Sequence, residues 1–136
     1  MTSFLIFTRS LTELMNFLKM SEVKDIIILG GKVTGYTGKK IRNFISIGIG
    51  GSYLGVEFIY QSLRNHPDLQ KKAFGYNIHF LANVCPIDFE RSIENFDPEE
   101  TLIIIISKTF TTAETMLNAR TCRHWITNAY KNIVTL

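Results

Sequence analysis

Leu102-Ile103-Ile104-Ile105-Ile106-Ser107-Lys108-Thr109-Phe110-Thr111-Thr112 is the stretch whose reading decides the fold. Five aliphatic residues in a row, with no polar alternation, suit a central parallel strand covered on both faces. A polar hexapeptide follows at once, and beyond it Met116, Ala119, Cys122 and Ile126 recur at helical spacing as a buried stripe. Strand, loop and helix in that order are the repeating step of a parallel α/β sheet.

Upstream the same step is written twice more. Phe44-Ile45-Ser46-Ile47-Gly48-Ile49 reads as a first strand, and Leu54, Phe58, Ile59 and Leu63 then recur at helical spacing. That helix fails near His66-Pro67, because proline disfavours helical geometry in the residue before it. Residues 76–82 read as a second strand. Pro86 opens a short helix with Phe89, Ile93 and Phe96 along one face, and Asp97-Pro98 closes it. Downstream, Asn132-Ile133-Val134-Thr135-Leu136 reads as a fourth strand, so the expected fold is an α/β doubly wound parallel sheet truncated after its fourth strand. Towards the N-terminus, residues 11–18 form an amphipathic helical pattern, and residues 26–29 suit a strand or a buried helix end. Gly30-Gly31 and Thr34-Gly35-Tyr36-Thr37-Gly38 carry turn chemistry.

Composition narrows the function classes. A chain of 136 residues, 46% hydrophobic, holds one modest core. Its 15 basic and 12 acidic residues give a formal charge of +3, scattered along the chain, which argues against a nucleic-acid partner. No stretch reaches the roughly 18 apolar residues that span a bilayer, and the run at Phe4 to Phe7 is short and followed by Arg9, unlike a secretory signal. Cys85 and Cys122 have neither zinc-site spacing nor disulfide density, so both read as reduced, packed thiols of a cytoplasmic protein.

Two loops carry the chemistry. Gly48-Ile49-Gly50-Gly51-Ser52-Tyr53-Leu54-Gly55 joins a strand to a helix, where backbone N–H groups and the helix dipole favour an anion. It is not a dinucleotide fingerprint, since the third glycine falls at Tyr53, nor a Walker loop, since no lysine follows the glycines. A tight structural turn explains it equally well. Ser107, Lys108, Thr109, Thr111 and Thr112 place one cation and four hydroxyls within six residues, a phosphate cradle in composition. A helix cap on Thr111 or Thr112, helped by Glu114, would explain the threonines but not Ser107-Lys108 directly after a buried strand. Both loops fall at carboxyl ends of strands, the edge where open α/β sheets bind ligands. His66, His79 and His124 are far apart and read as surface or core residues. Glu57 and Glu114 suit solvated or capping roles, and Asp88, Glu90 and Glu94 a solvent face.

At these residues the chain resembles the glucose-6-phosphate isomerase family, of the sugar isomerase (SIS) fold group. Gly35-Tyr36-Thr37-Gly38-Lys39 is similar to its lead-in loop, Ile47-Gly48-Ile49-Gly50-Gly51-Ser52 to its glycine loop, and residues 107–112 with Glu114-Thr115 to its phosphate-binding segment. The resemblance covers residues 35–136 as a partial phosphosugar-binding domain, leaving 1–34 as a divergent, partly helical N-terminal segment. It implies that Ser107, Lys108, Thr109 and Thr112, with Thr111 beside them, hold a sugar phosphate, while Gly51 and Ser52 lie along the sugar. It further implies a cytoplasmic aldose-ketose isomerase of glycolysis and gluconeogenesis, a homodimer using no metal or organic cofactor. None of the family's catalytic groups falls within residues 1–136: its glutamate base, ring-opening histidine, arginine and C-terminal lysine lie further on. The chain is thus expected to be a fragment that grips substrate without turning it over; a stand-alone, non-catalytic SIS module is the alternative. Cys85 stands where the family usually has an acidic residue, and Tyr53 where it commonly has a small or acidic one.

Overall fold

The computed structural model describes residues 5–8, 34–35 and 37–134. The elements are β1 (Leu5–Thr8), β2 (Asn43–Ile47), α1 (Gly51–Leu63), α2 (Pro67–Ala73), β3 (Asn77–Leu81), α3 (Pro86–Ile93), a 3-10 turn at Pro98–Glu100, β4 (Thr101–Ile106) and α4 (Ala113–Val134). All strand pairs are parallel, in the order β1-β4-β2-β3. The helical pattern at 11–18, the segment 26–29, Gly30-Gly31 and Tyr36 lie outside the described residues.

β4 is the centre, as its unbroken aliphatic run requires. All six of its residues are buried, and β2 and β1 flank it. Alternate side chains enter two separate cores. Ile103 and Ile105 join Ile45, Ile47 and Leu81 under Ala119, Cys122 and Ile126 of α4, with Phe89 and Ile93 of α3 and nearby Phe96 packed alongside. Leu102, Ile104 and Ile106 join Ile41 on the other face, where Phe44 and Val56 of α1 pack. Helices therefore cover both faces, and the sheet is doubly wound.

Two expectations need correction. Residues 132–134 are helical, so the strand read at 132–136 does not form there, and 135–136 lie outside the described residues. Each residue added to a helix needs only the carbonyl four back, whereas a new strand must find an open edge, and the free side of β4 is taken by β1. The cysteines also part company: Cys122 is buried in the α4 core, but Cys85 is exposed.

The stripe that marks α1 as a helix is on its open side. Leu54, Phe58, Ile59 and Leu63 are 60%, 72%, 40% and 47% exposed, and no residue of α1 is buried. Val56 instead touches the sheet core, and the rings of Tyr53 and Tyr60 meet Phe80 edge-on at 5.9 and 5.6 Å.

At the amino ends of β2 and β4 the lead-in loop closes on itself through Thr34 and Lys40 and abuts the 3-10 turn. A side chain on Gly35 would collide with the Glu99 carbonyl oxygen. Lys39 Nζ donates to Asp97 Oδ2 at 2.9 Å and to Glu99 Oε1 at 3.1 Å, clamping two segments 58 and 60 residues apart. Burial pushes the Asp97 carboxyl up, but the Lys39 contact and the Glu99 N–H outweigh it and hold the group below its ordinary value of 3.8. The two carboxylates hold the Lys39 ammonium above its ordinary 10.5.

Truncating Ile103 to Ala is expected to cost about 2–5 kcal/mol, since it opens a cavity at the sheet centre, whereas Phe58→Ala changes stability by no more than about 0.5 kcal/mol. Urea unfolding of the two variants measures both.

The Lys39 clamp adds stability that is fully present above the ordinary carboxylate range and is lost as pH falls through the depressed Asp97 value. At the alkaline end it is lost as pH rises through the raised Lys39 value. Lys39→Met should therefore flatten the acid limb of the stability curve below about pH 4, read by urea unfolding at stepped pH. An unchanged limb would mean that the clamp is solvent-screened.

Candidate functional site

β2 and β4 are hydrogen-bonded neighbours with Ile47 opposite Ile105, so the loops that follow them leave the same carboxyl edge of the sheet side by side. The lead-in loop lies at the opposite edge.

The glycine loop folds back tightly onto α1. Gly48 is buried, and a Cβ there would stand 2.9 Å from the Ser52 carbonyl oxygen, closer than real side chains come. Gly50 has φ +59°, a conformation in which glycine costs little, and serves as the N-cap residue of α1. Its carbonyl accepts from the N–H groups of Tyr53 at 3.1 Å and Leu54 at 2.9 Å, while Ser52 N–H donates to the Ile49 carbonyl at 3.3 Å. The N–H of Gly51 has no partner among the described residues. Gly51 is exposed and Ser52 half-buried, so this loop can offer an amide and a hydroxyl to a polar ligand.

The second loop is built around Ser107, only 3% exposed at the end of β4. Its Oγ accepts the N–H of Phe110 at 3.1 Å. Lys108 is exposed and makes no ion pair among the described residues. Thr109 Oγ1 accepts from the Thr111 hydroxyl at 2.7 Å and from the Thr111 N–H at 3.3 Å, so its own proton can point outward. The Thr112 carbonyl accepts from Met116 N–H at 3.0 Å, which makes Thr112 the N-cap residue of α4 by position. Its hydroxyl has no partner among the described residues and does not cap the helix. The competing explanation of these threonines as side-chain caps is therefore not realised. Between them Phe110 has φ +55°, which costs a non-glycine residue about 1–2 kcal/mol, while its ring packs against the α4 core.

Ser107, Lys108, Thr109, Thr111 and Thr112 thus share one loop, next to the loop of Gly51 and Ser52. Lys108 and the first-turn amides of α4, a helix of 22 residues, make this edge attractive to an anion, opposed by Glu114 in the same turn. The histidines lie elsewhere: His66 precedes α2, His124 is 3.2 Å from Asn128 on α4, and His79 on β3 is 3.9 Å from Asp88, which is half-buried rather than on a fully solvated face. An apolar cavity of about 310 Å³ also lies away from the loops, lined by Phe44, Tyr60, Leu69, Tyr76 and Ile104, with Lys72 its one cation among the described residues.

Three features of this edge escaped the sequence. Asn118 is buried and donates from Nδ2 to the Asn83 carbonyl at 3.0 Å, tying α4 to the loop after β3. Its signal was a polar residue on the buried stripe of a helix. The Glu57 carboxylate one turn on, with some burial, raises the Tyr53 phenol above its ordinary range. Cys85 occupies the N-cap position of α3 without a side-chain cap bond.

Fold and edge together define a doubly wound α/β domain whose carboxyl edge presents paired polar loops. A family model described as phosphoglucose isomerase matches residues 9–135, and the chain belongs to that family. It is 49% identical over 112 residues to cytosolic glucose-6-phosphate isomerase 1 of Clarkia arcuata and to cytosolic glucose-6-phosphate isomerase of Oenothera sinuata var. hirsuta. To cytosolic glucose-6-phosphate isomerase 2 of Clarkia concinna it is 47% identical. Each match covers 81% of this chain and 20% of the relative, so the chain spans about a fifth of their length. No helix among the described residues is long and apolar enough to cross a membrane.

An acidic residue in place of Cys85 would accept from the open N–H groups at the start of α3, which a thiol does poorly. Cys85→Asp is expected to stabilise the chain by about 0.5–1.5 kcal/mol in urea unfolding at neutral pH, and the gain should vanish once the new carboxyl is protonated.

Proposed function

We propose that this chain supplies the phosphate-gripping part of a glucose-6-phosphate isomerase, which interconverts glucose 6-phosphate and fructose 6-phosphate in glycolysis and gluconeogenesis. The observation that carries the reading is the side-by-side exit of two polar loops from β2 and β4, in a chain of the phosphoglucose isomerase family. In this reading the phosphate sits on the second loop. Lys108 gives it a full charge, Ser107, Thr109 and Thr112 donate hydroxyl protons while Thr111, whose own proton goes to Thr109 Oγ1, steadies that hydroxyl, and the first amides of α4 complete the cradle. Gly51 and Ser52 lie along the sugar, where the amide of Gly51 is open.

The reaction opens the sugar ring and moves a proton between two neighbouring carbons through an enediol(ate), with a carboxylate as base and no metal or organic cofactor. By the resemblance, none of the groups for those steps lies within these 136 residues. Holding the phosphate fixes one end of the substrate, and remote binding energy of that kind accelerates chemistry only when the reacting groups are also in place. The same reading carries the division into a segment 1–34 and a partial SIS domain 35–136, a homodimer for the full-length protein, and the cytosol, from the relatives' names.

Two measurements on the 136-residue chain test this. A coupled assay, freed of host isomerase, should detect no interconversion of the two sugar phosphates; turnover would overturn the assignment of catalysis to residues outside this chain. Calorimetric titration should show glucose 6-phosphate binding and glucose not, with Lys108→Ala costing about 1–3 kcal/mol as a charge-assisted contact is lost. Equal affinity for glucose and its phosphate would overturn the phosphate site. Phosphate-dependent binding by a protein complete at this length would instead favour the non-catalytic module.

A further inference from the structure

We propose that Phe110 is a positioning residue of the second loop, holding residues 107–112 in their phosphate-ready shape before any ligand arrives. The proposal rests on the reading of that loop as the phosphate site. Three observations meet at this residue. Its backbone is left-handed, at φ +55°. Its ring is packed against the buried cluster that contains Ile45, Ile103, Ile105 and Cys122. Its N–H donates to the buried Ser107 Oγ at 3.1 Å.

Each has a consequence for the loop. A left-handed residue reverses the chain locally, so that Lys108 and Thr109 stand exposed while Thr112 feeds directly into α4. Glycine is the ordinary choice for that backbone, but glycine would leave the loop unanchored and free to scatter. Phenylalanine accepts the strained backbone and in exchange fixes the loop to the core, a combination found where a site is pre-set. The hydrogen bond orients Ser107 as well. A serine hydroxyl has one proton and two lone pairs, and once a lone pair receives the Phe110 N–H, the proton turns away from Phe110 and can be donated to a phosphate oxygen. Phe110 touches no substrate in this scheme; it acts through Ser107 and the shape of the loop.

The test uses the 136-residue chain, with inorganic phosphate and glucose 6-phosphate as probes in calorimetric titration. Phe110→Gly, which removes both anchor and strain, and Phe110→Ala, which removes the anchor alone, should each weaken phosphate binding about tenfold, since binding must then order the loop. Phe110→Leu, which can still reach the core, should restore affinity to within about threefold. Phe89→Ala removes another aromatic ring packed on the same cluster, outside the loop; it should lower the unfolding midpoint while leaving phosphate affinity unchanged, which separates positioning from bulk stability. Undiminished affinity in Phe110→Gly, with Lys108→Ala weakened, would overturn the positioning role and leave the phosphate site standing. If the unaltered chain binds no phosphate, both fall. Hydrogen exchange supplies a readout that needs no variant: in the ligand-free chain the Phe110 amide should exchange at least about tenfold more slowly than the Lys108 amide, and equal exchange would show that the loop is not pre-set.

Discussion

Everything else in this structure depends on the pairing of β4 with β2. Thr101 to Ile106 are buried without exception, and a strand buried on both faces must satisfy all its backbone groups with neighbouring strands and all its side chains with helices. The register, Asn43 opposite Thr101 through Ile47 opposite Ile105, meets the first demand. α4 meets the second on one face and α1 on the other. Once that register is set, the loops after Ile47 and Ile106 have no choice but to emerge together.

The site thus follows from the sheet rather than from contacts between the loops. The glycine loop is shaped by close approach, with Gly48 against Ser52, and the second by a buried serine and an anchored aromatic ring. One uses the absence of side chains to bring backbone near a ligand, the other uses side chains to hold backbone in place. Both lie at the positive ends of helices, an arrangement that offers a small anion neutral donors beside one exposed ammonium, that of Lys108.

How far the sequence disclosed this depended on the range of the interaction involved. The run Leu102 to Ile106 was legible because burial on both faces removes alternation, and Ser107-Lys108-Thr109-Phe110-Thr111-Thr112 was legible because its chemistry is contiguous. Residues 132–134 were misread, since β-branched residues suit a strand only where an edge is open, and the occupant of that edge, Leu5 to Thr8, lies far away along the chain. Leu54 and Phe58 announced a helix, but periodicity does not say which stripe a sheet will cover. The Lys39 clamp, the bond from Asn118 to Asn83 and the left-handed turn at Phe110 were invisible for a common reason: each joins groups that only the folded chain brings together or bends into place.

The two cysteines show what this architecture does to identical chemistry. Burial on the sheet-facing side of α4 pushes the Cys122 thiol up to about 12, and the sheet and helix shut out any reagent; Cys85 stands in solvent at the start of α3. Since the thiolate is the reacting form, electrophiles and oxidants meet Cys85 at the pace of diffusion and intrinsic reactivity. For Cys122 the clock is the opening of α4 from the sheet, so the fate of that sulfur over time is governed by the lifetime of the core.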